Sequence, residues 1–213
     1  EILMLVQSGF LVMNALTGQT EQTHVFTGSS YLTGLQMLTE LDDDPAPDYL
    51  IFSANRYCDQ ISSVNITADG ITEEWVNLYD TNSEQIRLHH NRTLTILGDV
   101  TGDDKPEILG SLYNYHDDGK WYLTVWDARD GSVIAELADR YFVASADLDN
   151  DDKAEIMVKQ VSSGGSLVNE FETIEVLDFE ERGLVSKWTL NDSKFAMTGY
   201  RTGNPACNIF LDI

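Results

Sequence analysis

Asp147-Leu148-Asp149-Asn150-Asp151-Asp152-Lys153-Ala154-Glu155-Ile156-Met157 decides how the rest of the chain is read. Oxygen-bearing side chains alternate through its first half, and an aliphatic pair follows its last acid. The pattern recurs upstream as Gly98-Asp99-Val100-Thr101-Gly102-Asp103-Asp104-Lys105-Pro106-Glu107-Ile108-Leu109. A looser copy runs from Glu40 to Leu50, and a decayed one from Tyr200 to Phe210. Glu1-Ile2-Leu3-Met4 matches the tail of the same unit. The last acid or amide of each copy is therefore Glu1, Asp48, Glu107, Glu155 or Asn208. A recurrence of about 50 residues suits a four-stranded propeller blade.

A second landmark keeps step with the first. In each unit a strand ends at a turn glycine: Gly18, Gly70, Gly131 and Gly183. Asp69-Gly70 and Asp130-Gly131 are hairpin signals, because glycine takes the positive φ that such turns need. Trp75 and Trp188 follow their glycines at the same offset. In the third unit, strands are expected over Thr93–Leu97, Glu107–Tyr113, Trp121–Trp126 and Val133–Leu137, rich in the β-branched, aromatic and aliphatic residues of half-buried pleated surfaces. Ser30–Leu41, the stretch nearest to a helical pattern, reads as a connection followed by a strand. The expected fold is all-β: four-stranded antiparallel blades, about four blades' worth of a larger propeller, within one domain spanning 1–213. The blade phases fall at 1–28 (partial), 31–85, 91–139, 141–192 and 194–213 (partial).

The alternation has a chemical reason. Counting from the first acid, positions 1, 3, 5 and 9 carry side-chain oxygen, and position 7 offers a backbone carbonyl. In the third unit these are Asp99, Thr101, Asp103, the Lys105 carbonyl and Glu107. In the fourth they are Asp147, Asp149, Asp151, the Lys153 carbonyl and Glu155. In the second they are Glu40, Asp42, Asp44, the Ala46 carbonyl and Asp48. Alternate residues of a tight loop point inward together and make a cage of hard oxygens, which suits Ca²⁺. Carboxylates gathered without a cation repel one another, and a bound cation reverses that cost. Two calcium sites are expected in units three and four, and a third in unit two. Thr101 gives the third unit one charge fewer than the fourth, which predicts weaker binding there. The fifth copy offers only Thr202, Asn204 and Asn208 and is expected to hold no metal. An EF-hand is excluded, since its loop needs an acid at position 12, where Gly110 and Val158 stand.

The loop pattern followed by an aliphatic pair resembles the FG-GAP and VCBS repeats of integrin α chains and of many secreted proteins. The resemblance is strongest in units three and four, and as blades it covers nearly the whole chain. It implies that each acidic loop joins the first two strands of a blade and binds one Ca²⁺ as a structural staple. Asp99, Asp103, Glu107, Asp147, Asp149, Asp151 and Glu155 are the best matched ligands. Asp104 and Asp152 depart from the family, which usually has glycine at that position, and Pro45 stiffens the second loop.

Composition narrows the function. Acids outnumber bases 36 to 13, and the net charge of −23 repels phosphate backbones and so argues against nucleic acid. Divalent cations or basic proteins are the natural partners of such a surface. No apolar run reaches the length of about 20 residues needed to span a bilayer as a helix. Cys58 and Cys207 are compatible with one disulfide or two thiols. The sequons at Asn65, Asn91 and Asn191 fit an extracellular or secreted glycoprotein. His24, His89, His90 and His116 have no zinc spacing, and no phosphate-loop or nucleophile-elbow motif occurs.

The expectation is a non-catalytic, calcium-stabilised binding, adhesion or scaffold module for protein or glycan partners at the blade loops. The alternative is the propeller of a secreted polysaccharide-degrading, lyase-like enzyme. That reading needs Arg87, Arg92, Lys120 and Lys159 to converge in one cleft. Tyr113, Tyr115, Trp121 and Tyr122 are either a partner-binding cluster or, as packing favours, blade core.

Overall fold

The computed structural model describes residues 2–6, 9–25, 31–37, 48–54, 58–67, 69–80, 87–88, 96–114, 118–161, 170–181 and 183–196. They form strands arranged as four consecutive antiparallel sheets. The first holds β1 (Ile2–Val6), β2 (Gly9–Met13) and β3 (Thr20–Val25). The second holds β4 (Tyr31–Met37), β5 (Asp48–Ala54), β6 (Cys58–Thr67) and β7 (Gly70–Asp80). A two-residue strand, β8 (Arg87–Leu88), comes next in the chain. The third sheet contains β9 (Ile96–Gly98), β10 (Glu107–Tyr113), β11 (Trp121–Asp127) and β12 (Val133–Ala138). The fourth holds β13 (Arg140–Ala146), β14 (Glu155–Gln160), β15 (Glu170–Glu180) and β16 (Gly183–Ala196). β8 apart, consecutive strands within each sheet pair, so each sheet is built as a meander, and successive sheets repeat at blade-like spacing. Among the described residues no helix is long and apolar enough to cross a membrane.

One irregularity recurs in all four sheets. The pairing of the last two strands slips by one residue between Val12 and Met13, Ser63 and Val64, Val125 and Trp126, and Val176 and Leu177. The bulge residues skipped in the strand register are Glu21, Glu74, Ile134 and Lys187. A bulge bends its strand and re-aims one side chain, so these four residues occupy equivalent places with very different chemistry. Trp75 and Trp188 each follow their bulge residue directly.

The chain divides into two compact units. One comprises residues 1–88 with 114–117 and 127–132, and the other 89–113, 118–126 and 133–213. In the first unit, Val12 and Val64 are buried among Leu3, Tyr49, Ile66 and Ile71. Trp75 is buried there too, and its indole Nε1–H donates to the Ala128 carbonyl at 2.9 Å. The ring lies over Gly131, where φ is +70° and an added Cβ would stand 2.4 Å from Trp75 Cε3. Glycine at this turn is therefore required twice, by its left-handed backbone and by the indole above it.

The second unit has the larger core: Val100, Leu109, Leu123, Val125, Phe142, Ile156, Val158 and Leu177 are all buried together. At about 1.5–3 kcal/mol for each large apolar side chain removed from water, this cluster dominates the stability of the unit. Trp121 is buried and meets Tyr141 edge-on, with centroids 5.0 Å apart. Phe142 N–H donates to Ser111 Oγ at 2.8 Å, so the third and fourth sheets are tied by polar as well as apolar contact.

Candidate metal centres in two acidic loops

The loop from Asp99 to Pro106 connects β9 to β10, and that from Asp147 to Ala154 connects β13 to β14. Both belong to the second unit. Their backbones follow one plan. Positions 4 and 6 are left-handed in each: Gly102 and Asp104 have φ of +77° and +63°, and Asn150 and Asp152 have +59° and +68°. Asn and Asp are the non-glycine residues that enter this region most readily. This accounts for acids standing where the resembled repeats usually carry glycine.

The left-handed residues turn successive amides toward the first acid. Asp99 Oδ1 accepts from Gly102 N–H (2.6 Å) and Asp103 N–H (3.2 Å), and Oδ2 from Asp104 N–H (2.8 Å). Asp147 does the same with Asn150 (2.7 Å), Asp151 (3.3 Å) and Asp152 (3.2 Å). Asp103 and Asp151 accept from the amides of Lys105 and Lys153. The final acids are buried where their strands begin. Glu107 Oε2 accepts from Val100 N–H at 2.8 Å, and Glu155 Oε2 from Leu148 N–H at 2.7 Å.

Carboxylate oxygens of Asp99, Asp103 and Glu107 all lie within 4.8 Å of one another, as do those of Asp147, Asp149 and Asp151. Burial pushes the Glu107 carboxyl above its ordinary range, against the opposing pull of the Val100 and Thr101 hydrogen bonds. A hard divalent cation fits such a donor set. It would be held by Asp99, Asp103 and Glu107, and would offset the mutual repulsion of the three groups.

The two loops differ at one place. In the third sheet, Glu107 Oε1 accepts from the Thr101 hydroxyl at 3.1 Å. In the fourth, Glu155 Oε1 meets the Lys187 ammonium at 2.6 Å. Lys187 also lies 2.6 Å from Asp149 Oδ2 and 3.6 Å from Asp178 Oδ2. Asp149 holds the Lys187 ammonium well above the usual lysine range, with Glu155 adding to the effect. Lys187 in turn holds the Asp149 carboxyl below its usual range. Local sequence gives no sign of Lys187. It stands far along the chain from the loop and reaches it because it is the bulge residue of β16.

Asp48 is fully buried at the start of β5, opposite Asn65 of β6. Glu40, Asp42, Asp44 and Ala46 lie outside the described residues, as do Thr202, Asn204, Asn208 and Cys207. Asn65 is buried, which sets it apart from exposed Asn191 as a glycan acceptor, and Asn91 lies outside the described residues. Of the aromatic group, Trp121 is core, and the Tyr122 hydroxyl donates to Asp118 at 2.6 Å. The side chain of Tyr113, and Tyr115 altogether, fall outside the description. Of the four basic residues, Lys120 pairs with Asp139 at 3.1 Å and Lys159 is buried in β14. Arg92 and the side chain of Arg87 lie outside the described residues.

No protein-family model matches the chain, and no curated protein matches it. What the fold and site define is a β-repeat protein with two acidic clusters able to chelate a divalent cation.

Proposed function

We propose that the chain is a segment of an FG-GAP/VCBS-type β-propeller whose acidic loops bind Ca²⁺ as structural staples. It works outside the cell as a binding, adhesion or scaffold module for protein or glycan partners, without catalysis of its own. The observation that carries this reading is the shared backbone plan of the two loops. Each draws three amides onto its first acid and gathers carboxylate oxygens of three acids within 4.8 Å of one another. Both oxygens of Asp99 and of Asp147 are already engaged as acceptors in shaping their loops, which favours a structural over a proton-transferring role. Extracellular calcium modules bind with Kd on the order of 10⁻⁴–10⁻³ M, so loops of this kind fill outside the cell and stay largely empty of calcium inside it. At free calcium ten times Kd, one site adds about 1.4 kcal/mol. That is a useful fraction of a stability margin of about 5–15 kcal/mol.

Thermal melting in calcium and in chelator tests the reading. The melting temperature is expected to rise by several degrees in millimolar calcium, and the rise is expected to shrink in Asp103→Asn. Equal melting temperatures under both conditions would remove the proposal.

A further inference from the structure

We infer that Lys187 is a tethered cation occupying the fourth-sheet loop, so that the third-sheet loop is the stronger divalent-cation site although it carries fewer acids. The inference rests on the reading of these loops as cation sites and ranks the two.

The comparison is between equivalent positions. Thr101 and Asp149 stand at the same loop position, one neutral and one anionic. Ile134 and Lys187 are the bulge residues of β12 and β16, one apolar and one cationic. Ile134 packs against the buried core of the second unit. Lys187 instead sends its ammonium to Asp149 and Glu155 at 2.6 Å each, with Asp178 at 3.6 Å. The extra acid and the extra base thus arrive together and cancel. The third loop presents Asp99, Asp103 and Glu107; the Lys153 methylenes pack against its Gly102, but among the described residues no ammonium is ion-paired with those three acids. The fourth presents Asp147, Asp149, Asp151 and Glu155, of which Asp149 and Glu155 hold one.

An ammonium donates hydrogen bonds to oxygens that a divalent ion would otherwise coordinate. It is covalently attached, and so is present at a concentration that free calcium must overcome. A cation entering the fourth loop has to displace Lys187 from Glu155 and Asp149, whereas among the described residues no such ion pair holds Asp99, Asp103 or Glu107 of the third loop. The charge count of the loops alone predicts the opposite order.

The test is calcium binding by flow dialysis or calorimetry on the whole chain in four forms: unaltered, Lys187→Met, Asp103→Asn and the double variant. The expected result is that Lys187→Met gains a calcium site, or tightens one at least tenfold, and that this gain persists in the double variant. Asp103→Asn alone is expected to lose the strongest of the unaltered protein's sites that respond to either substitution. In chelator, Lys187→Met is expected to melt lower than the unaltered protein, and calcium to restore the difference. Lys187→Gln serves as a second variant if Lys187→Met does not fold without calcium. Unchanged calcium number and affinity in both Lys187 variants, with binding by the unaltered protein intact, would overturn this inference and leave the calcium reading standing. Absence of calcium binding in all forms would overturn both.

Discussion

The amide of Ala154 donates to the carbonyl of Asp99 at 2.7 Å, which ties the end of the fourth-sheet loop to the start of the third-sheet loop. Ala154 directly precedes Glu155, and Asp99 is the acid on which the whole third loop turns. A cation that rigidifies one loop therefore bears on the other through this short hydrogen bond, beside the packing of Lys153 on Gly102. Hydrogen exchange at Ala154 is expected to slow in calcium and to speed up in chelator, along with the amides of Gly102 and Asp104. Exchange at Ala154 that ignores calcium while the loop amides respond would show that the link does not transmit the effect.

Asp99 and Asp103 have separable roles. Asp99 accepts three amides, and hydrogen bonds to a charged group contribute about 1.5–3 kcal/mol each when well formed. Asp99→Ala is expected to lose about 2 kcal/mol or more already in chelator, and more still in calcium, because it removes both the loop's acceptor and a ligand. Asp103→Asn keeps an acceptor for Lys105 N–H and removes only charge. Its loss is expected in calcium and to be near zero in chelator. Denaturant melts of both variants under both conditions check the split.

Two tryptophans at equivalent register positions should respond to very different degrees. Trp75→Phe removes the bond to the Ala128 carbonyl and is expected to cost about 1–2 kcal/mol. Gly131→Ala drives a methyl into a rigid ring and a left-handed backbone, and is expected to cost about 2–4 kcal/mol. Trp188 is 47% exposed, so Trp188→Phe should stay within about 0.5 kcal/mol. Thermal denaturation, read as about 2–4 °C per kcal/mol for a chain of this size, separates these outcomes.

Lys159 supplies the pH dependence. Burial in β14 lowers its ammonium to about 8, against about 10.4 in an unfolded chain. Below pH 8 both states hold the proton, and the folded state bears the full cost of burying the charge. Between about pH 8 and 10.4 the unfolded chain binds more protons, so this contribution raises stability as pH rises. Lys159→Met is expected to flatten the slope of stability against pH in that window, as read from urea midpoints at pH 7.5, 8.5 and 9.5.

Much of this architecture is legible in the sequence because it is local. The acid spacing from Asp99 to Glu107 and from Asp147 to Glu155 marks loops entering β10 and β14. Asp130-Gly131 marks the β11–β12 turn, where Gly131 N–H donates to the Asp127 carbonyl at 2.9 Å. The strand expected at Glu107–Tyr113 coincides with β10, and those at Trp121–Trp126 and Val133–Leu137 differ from β11 and β12 by one residue at the end. The four bulges are not legible, because a slip of pairing depends on two strands and leaves no periodic trace in either. Lys187 was hidden for that reason: its bulge, not its neighbours in sequence, aims it at Asp149 and Glu155. Reading charge loop by loop therefore ranks Thr101 as the deficit of the third site. The structure adds that the fourth loop's additional acid, Asp149, is ion-paired with Lys187.

The most direct test of the account is flow dialysis of radioactive calcium against metal-free protein at physiological ionic strength. Saturable binding with Kd at or below about 10⁻³ M, weakened by Asp103→Asn and by Glu107→Gln, is the predicted result. No saturable binding at ten times that concentration, or binding that neither substitution alters, would contradict it.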